Sequence, residues 1–298
     1  MKKVAVVFPG QGSQAVGMLA ALAAVDIVRQ TFAEASTVLG YDTWELAQHG
    51  PEEKLNQTEF TQPVLLTADI ALWRYLRIQQ NLAPQYLAGH SLGEYAALVA
   101  AEALAFTDAL RLVAKRGRYM QAAVGPGIGA MAAIVGLEDN KINEICDKSR
   151  EGDEILSPAN FNSIGQTVIA GHSAAVDRAV QLAQGQGAKI AKRIPVSVPS
   201  HCQLMRPAAL RLAEDLAQTH IQAPRIPVIH NVDVAVHADP AAIRSALVQQ
   251  LTKPVRWVET VQYLDRQGIE TIIECGPGKV LTGLNKRISK NTMVSTTL

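Results

Sequence analysis

The sequence predicts an α/β protein: a mainly parallel sheet covered by helices, with a small α+β unit inserted into it. Three observations carry this expectation. Short aliphatic runs ended by Gly or Pro alternate with segments of helical periodicity. The alternation is interrupted once, after Gly125-Pro126-Gly127-Ile128-Gly129, by a stretch of different order, and it resumes after Pro195. Strands that alternate with helices need crossover connections, which favour parallel pairing under a helical cover.

The elements follow in order. Lys3 to Phe8 is a short Val-rich run ended by Pro9-Gly10, which predicts a buried strand. Helical periodicity runs from Val16 to Leu39 and again from Thr61 to Gln80, where Pro63 is expected near the first turn. A strand is expected over Gln85 to Gly89 and a helix over Glu94 to Ala103. Another helix should run from Thr107 to Val124, with Thr107 as its N-cap. Strand 130–135, helix 139–149, strands 156–161 and 166–170, helix 173–184 and strand 188–194 then give the order β-α-β-β-α-β of a ferredoxin-like unit. The expected organisation is therefore a core of residues 1–126 and 198–298 with a subdomain of residues 127–197. Beyond it, helices are expected over 203–218, 240–251, 256–267 and 280–288, and strands over 227–231, 271–275 and 293–297.

Composition narrows the function. The chain has 298 residues, 48% of them hydrophobic, enough for a large aliphatic core with a smaller unit attached. A net charge of +1 argues against a dedicated nucleic-acid binder. The apolar run Val4 to Phe8 is too short for a signal sequence, and no run approaches the roughly 20 residues of a membrane helix. Cys146, Cys202 and Cys275 are scattered, which predicts reduced thiols, no metal site and a cytoplasmic protein.

Gly89-His90-Ser91-Leu92-Gly93 is a G-x-S-x-G between a strand and a helix, the setting of a nucleophile elbow. It places the Ser91 hydroxyl at a strand end near a helix N-terminus, where free amides and the helix dipole favour a developing anion. Such chemistry needs two oxyanion donors. The amide of Leu92 follows the nucleophile, and the amide of Gln11, in Pro9-Gly10-Gln11-Gly12, comes from the loop after the first strand. Loss of one such donor costs about 10²–10³ in rate. On residue grounds the same loop serves equally as a tight turn capping the first helix. Serine also needs a base. Of seven histidines, His201 sits in a loop stiffened by Pro195 and Pro199 just before a helix, although a structural role is open to it as well.

Several motifs together carry a resemblance to a known family. They are Phe8-Pro9-Gly10-Gln11-Gly12-Ser13-Gln14, Gly89-His90-Ser91-Leu92-Gly93-Glu94-Tyr95, Arg116-Gly117-Arg118-Tyr119-Met120-Gln121, Asn160-Phe161-Asn162-Ser163, Val198-Pro199-Ser200-His201 and Glu274-Cys275-Gly276-Pro277-Gly278. In order and spacing the chain resembles the malonyl-CoA:acyl carrier protein transacylases of bacterial fatty-acid synthesis. The resemblance implies an α/β-hydrolase-like core with an inserted ferredoxin-like subdomain. It implies Ser91 as nucleophile, His201 as base, and Gln11 and Leu92 as oxyanion amides. It places Arg116, Asn160 and Gln250 on the substrate side, Arg116 holding the malonyl carboxylate. The family has no acidic third triad member; a main-chain carbonyl near Gln250 orients the histidine.

A guanidinium holds a carboxylate through two parallel hydrogen bonds and is left unpaired by a neutral acyl group, so one residue selects malonyl over acetyl. Read without the resemblance, Arg116 is one of several charges on its helix. The implied cycle is a ping-pong transfer from malonyl-CoA to holo-acyl carrier protein, by a monomer, with no metal, cofactor or nucleic acid. Lys189, Lys192, Arg193, Lys286 and Arg287 are candidates for meeting an acidic carrier. Rival readings are the malonyl-transferring subunit of a malonate decarboxylase or polyketide system, a serine thioesterase or other hydrolase, and a non-catalytic acyl-binding scaffold.

Overall fold

The computed structural model describes residues 2–80, 82–196, 198–290 and 292–296. Its strands, in chain order, are β1 (Val4–Phe8), β2 (Tyr86–Gly89), β3 (Gly129–Val135), β4 (Leu156–Ser163), β5 (Gln166–His172), β6 (Ile190–Arg193), β7 (Val228–Ile229), β8 (Thr271–Glu274) and β9 (Met293–Thr296). They form two sheets. One has the order β7-β2-β1-β8-β9 and is parallel at every pairing; the other has the order β4-β5-β3-β6 and is antiparallel.

β1 sits at the centre of the parallel sheet because both of its faces are apolar. Val6 and Phe8 enter one core, beneath helices Asp26–Leu39, Thr58–Gln79, Gly93–Ala100 and Phe106–Ala122. Ala5 and Val7 enter the other, beneath helices Trp257–Arg266 and Val280–Ile288. Alternation along one strand thus feeds two helical layers. The loops leaving the carboxyl ends of β1, β2 and β7 lie side by side, where ligands of open parallel sheets bind.

The antiparallel sheet has the strand order of a ferredoxin-like unit. Helices Asp139–Ser149 and Ser173–Gly185 bury Ile142, Ile145, Val176 and Ala179 against Ala132, Ile134 and Ile169 of one face. Met131, Ala159, Val168 and Ala170 belong to a second cluster with Cys202, which follows the expected base in the chain. Two backbone bonds, Phe161 N to Val255 O (2.9 Å) and Val255 N to Ala159 O (2.9 Å), stitch β4 to the larger body.

Several expected boundaries are corrected. The segment 16–39 is not one helix: turns and a short 3₁₀ stretch, Ala20–Leu22, precede the helix that begins at Asp26. The next long helix starts at Thr58, so Pro63 lies inside it rather than in its first turn. Thr107 is not an N-cap; the helix starts at Phe106 after an extended Ala105, and this buries the Phe106 ring. The helix after Ser91 ends at Ala100, and β7 keeps only Val228–Ile229 of the expected strand. Two short helices, Thr43–His49 and Glu52–Leu55, were not anticipated; Asp42 caps the first by accepting from Glu45 N at 2.8 Å. Thr297 of the expected last strand, Ser197 at the expected subdomain end, and residues 1 and 298 of the expected core lie outside the described residues.

Asp69, in helix Thr58–Gln79, is fully buried, and neither carboxyl oxygen has a hydrogen-bond partner among the described residues. Burial, and then the neighbouring Glu274, raise its pKa well above the ordinary 3.8. A carboxyl raised in the folded state contributes its full share of stability below the unfolded pKa and loses it as pH climbs toward the folded one. Asp69→Asn should therefore gain on the wild type in thermal unfolding as pH rises above about 4. Parallel melting-temperature profiles for the two proteins from pH 4 to 8 would refute this.

Candidate active site

Ser91 follows β2 directly, with φ of +53°, a strained conformation for a residue bearing a Cβ. Two glycines permit the turn. A Cβ on Gly89 would lie 1.9 Å from the carbonyl of Gly93, and one on Gly93 would lie 2.1 Å from the Phe8 carbonyl oxygen. The elbow is thereby pressed against the end of β1. The chain returns on the other side at Pro9–Gly12, where Thr58 Oγ1 donates to Gln11 Oε1 at 2.6 Å and holds the loop.

The Ser91 backbone is gripped from both ends. Its N–H donates to Asn231 Oδ1 (2.8 Å), and its carbonyl accepts from Gln250 Nε2 (3.0 Å). Because its own N–H is used, any oxyanion donors must come from neighbours. The amides of Leu92 and Gln11 make no hydrogen bond among the described residues, and both residues line the cleft beside Ser91.

Ser91 Oγ is 2.8 Å from His201 Nε2. His201 Nδ1 is 2.7 Å from the main-chain oxygen of Gln250. A carbonyl oxygen only accepts, so Nδ1 carries the proton and Nε2 turns a lone pair toward the serine hydroxyl. His201 is 3% exposed and also has a positive φ, +63°. Burial, then the Arg116 charge, lower its pKa to about 3, which keeps the ring neutral at physiological pH.

Arg116 is fully buried on helix Phe106–Ala122. Gly117 makes the approach possible: a Cβ there would lie 2.7 Å from the backbone of Thr58 and of Glu59. Arg116 Nη1 donates to Gln62 Oε1 (2.7 Å), and Nη2 donates to Gln250 Oε1 (2.8 Å) and reaches Ser91 Oγ at 3.4 Å. These acceptors fix the guanidinium plane yet carry no charge. Among the described residues Arg116 has no ion-pair partner, and its Nε has no acceptor. Arg116 is thus a buried cation 3.4 Å from a serine oxygen, with Glu94 acting on it through space and no carboxylate in contact with it among the described residues.

The cleft has a volume of about 110 Å³, and Met120, Met131, Ile194, Val196 and Val198 supply its apolar lining. Asn160 also lines it, whereas Asn162 is the residue that meets His90 Nε2, at 2.8 Å. Gln250 does not line the cleft; it is fully buried behind Ser91 and Arg116. The structure thus brings Ser91, His201, Gln11, Leu92, Arg116 and Asn160 to one cavity, with Gln250 directly behind it. Of the histidines, only His201 touches Ser91 among the described residues; His49, His172, His230 and His237 have other partners. Asn231, Glu94, Gln62 and His230 were missed by sequence reasoning. Glu94 stands next to the motif and was legible as a polar residue on a buried helix, but its partners lie more than 130 residues away. Among the described residues no three His, Cys, Asp or Glu side chains are grouped to hold a metal, and no helix is long and apolar enough to cross a membrane.

The chain as a whole is similar to known proteins. The acyl transferase domain family matches residues 5–297. The chain is 57% identical over 289 residues to the malonyl CoA-acyl carrier protein transacylase of Salmonella typhimurium, covering 97% of this chain and 93% of that protein. The structure of the malonyl CoA-acyl carrier protein transacylase from Coxiella burnetii superposes with a TM-score of 0.97 at 56% identity, over 99% of this chain and 93% of that one. A malonyl-transacylase solved in complex with its type II PKS acyl-carrier protein superposes with a TM-score of 0.96 at 52% identity, over 99% and 95% of the two chains.

The electrostatic hold of Arg116 on the histidine is measurable. Arg116→Met removes the second cause of the depressed His201 pKa and leaves burial in place, so the value should rise from about 3 while staying below the ordinary 6.5. Imidazole titration by NMR reads this directly, and an unmoved His201 would show that the guanidinium exerts no such hold.

Proposed function

The chain belongs to the acyl transferase domain family and is an acyltransferase, and from that premise we propose that it moves a malonyl group from malonyl-CoA to the phosphopantetheine thiol of acyl carrier protein through a malonyl-serine intermediate, supplying the elongation unit of fatty-acid biosynthesis. The observation that carries the malonyl assignment is the buried, unpaired Arg116 beside Ser91 Oγ.

The cycle follows from the geometry. The malonyl carboxylate docks on Arg116, replacing solvent with a charge-assisted pair. His201 Nε2 takes the Ser91 proton as Oγ attacks the thioester carbonyl, and the Gln250 carbonyl holds the imidazolium through Nδ1–H. The amides of Leu92 and Gln11 receive the oxyanion. Collapse expels CoA thiolate, which takes the proton from His201. The carrier thiol then enters, gives its proton to His201, and reverses the steps. Each step is assigned to a side chain or amide of this chain, and neither metal nor cofactor enters it.

The remaining expectations belong to the same reading. Residues 127–197 act as a subdomain over a core of 1–126 and 198–298. The free, buried thiols of Cys146, Cys202 and Cys275 support a reducing, cytoplasmic setting. For the carrier surface, Arg193 is engaged with Asp177 and Arg287 with Gln166, which leaves exposed Lys189, Lys192 and Lys286 as the better candidates. Action as a monomer is part of the same proposal.

Intact-mass measurement after brief mixing with malonyl-CoA should show a malonyl adduct on the wild type, discharged by holo-acyl carrier protein, and none on Ser91→Ala. Discharge to water alone would favour a hydrolase. Arg116→Ala should lower kcat/KM for malonyl-CoA roughly tenfold to a hundredfold and narrow the gap to acetyl-CoA, the loss of one charge-assisted contact. An unchanged malonyl-to-acetyl ratio would remove Arg116 from the specificity role.

A further inference from the structure

Behind the cleft lies a buried carboxylate that the cycle above does not use. Glu94, in the first turn of helix Gly93–Ala100, is fully buried. Its Oε1 is 2.7 Å from His230 Nδ1, and its Oε2 accepts from Asn231 N (3.0 Å) and from Gln250 Nε2 (2.9 Å). Asn231 and Gln250 are the two residues whose side chains grip the N–H and the carbonyl of Ser91. Asn231 Nδ2 also donates to the carbonyl of Gly89, at the other end of the elbow (2.7 Å). Gln250 in addition gives its main-chain oxygen to His201 and its side-chain oxygen to Arg116.

We infer that Glu94 is the positioning residue that joins the acylation machinery to the carboxylate receptor, acting through Gln250 and Asn231. The inference rests on the function proposed above. Its logic is one of donors and acceptors. A carboxylate only accepts, so the Gln250 amide must turn its NH₂ toward Glu94 and its oxygen toward Arg116. Without Glu94 only the Ser91 carbonyl is left to hold that NH₂, and with one of its two anchors gone the amide holds Arg116 beside Ser91 less firmly. The same oxygen of Glu94 anchors the Asn231 backbone, and through it the N–H of Ser91. One side chain thus fixes the serine backbone, the partner of the base and the orientation of the arginine.

The role depends on reach and acceptor position more than on charge, and this separates three variants. Glu94→Ala frees both partners. Glu94→Asp keeps the charge but withdraws it by one methylene. Glu94→Gln keeps the reach: its oxygen serves Asn231 N and Gln250 Nε2, while its NH₂ donates to His230 Nδ1, once His230 carries its proton on Nε2.

The test measures the acylation rate per burst-titrated active site, and kcat/KM for malonyl-CoA and acetyl-CoA, in all four proteins. Glu94→Ala and Glu94→Asp should lose about 10²-fold in acylation rate, as expected for misplaced reacting groups. Both should also lose roughly tenfold or more of the malonyl-to-acetyl ratio, because the arginine is held less firmly. Glu94→Gln should recover most of both. A residue that served only to stabilise the fold would lower the melting temperature and the number of active sites, with the ratio per site unchanged, and that result overturns the inference. So does Asp surpassing Gln, the order expected of charge alone; this comparison decides the matter even where the alanine variant does not fold. A wild type that takes no malonyl from malonyl-CoA overturns instead the function on which the inference rests.

Discussion

The arrangement depends on one close contact between backbones. The elbow at Ser91 lies against the end of β1, with Gly93 pressed on the Phe8 carbonyl and Gly89 on Gly93. Parallel pairing of β1 and β2, in the register Phe8 to Gly89, delivers the two loops to the same edge. From that contact follow the positive φ of Ser91, the placement of Gln11 and Leu92 on one cleft, and the start of a helix whose first turn carries Glu94. A side chain at Gly93 would push the start of the helix off the end of β1, and one at Gly89 would push it off β2. The strain at Ser91 persists because side chains from distant segments hold both its backbone groups.

The second constraint is electrical. Arg116 and His201 are both buried and both lie on Ser91 Oγ, so each raises the cost of a positive charge on the other. Amide oxygens of Gln62 and Gln250 accept from its two Nη groups without neutralising it. A carboxylate in their place would bind Arg116 tightly and close the receptor to an anionic acyl group. Neutral acceptors therefore leave the charge of Arg116 available at the expense of stability.

Much of the fold was legible because it rests on local signals. The alternation of apolar runs and periodic segments revealed the parallel sheet, and the β-α-β-β-α-β order revealed the inserted unit. The errors fell where tertiary burial overrides local propensity. Phe106 is drawn into the core and starts its helix before Thr107, and turns break the periodicity between Val16 and Val25. At the site, Ser91 and Leu92 were legible from motif and context. His201 was offered by its stiffened loop but with a structural role also open, and Arg116 and Asn160 needed the family resemblance, because a lone charged or polar residue has no local signature. Asn231, Gln62 and the bonding pattern of Glu94 escaped both routes: their meaning lies in partners far along the chain that only the fold brings within 3 Å.

The seam between the two sheets runs beside the cleft. The charge-reading groups, Arg116 and Gln62, stand on helices of the parallel body. The apolar boundary at Met131 and Ile194 comes from β3 and the segment just after β6, across the bond pair that stitches Phe161 and Ala159 to Val255. The two bodies nevertheless share this wall: Met120, on the helix of Arg116, lines the same cleft, and Met131 packs in one cluster with Cys202, the neighbour of His201 in the chain. A change of bulk at Met131 is therefore passed through Cys202 toward the histidine, and the wall of the cleft and the serine–histidine pair vary together.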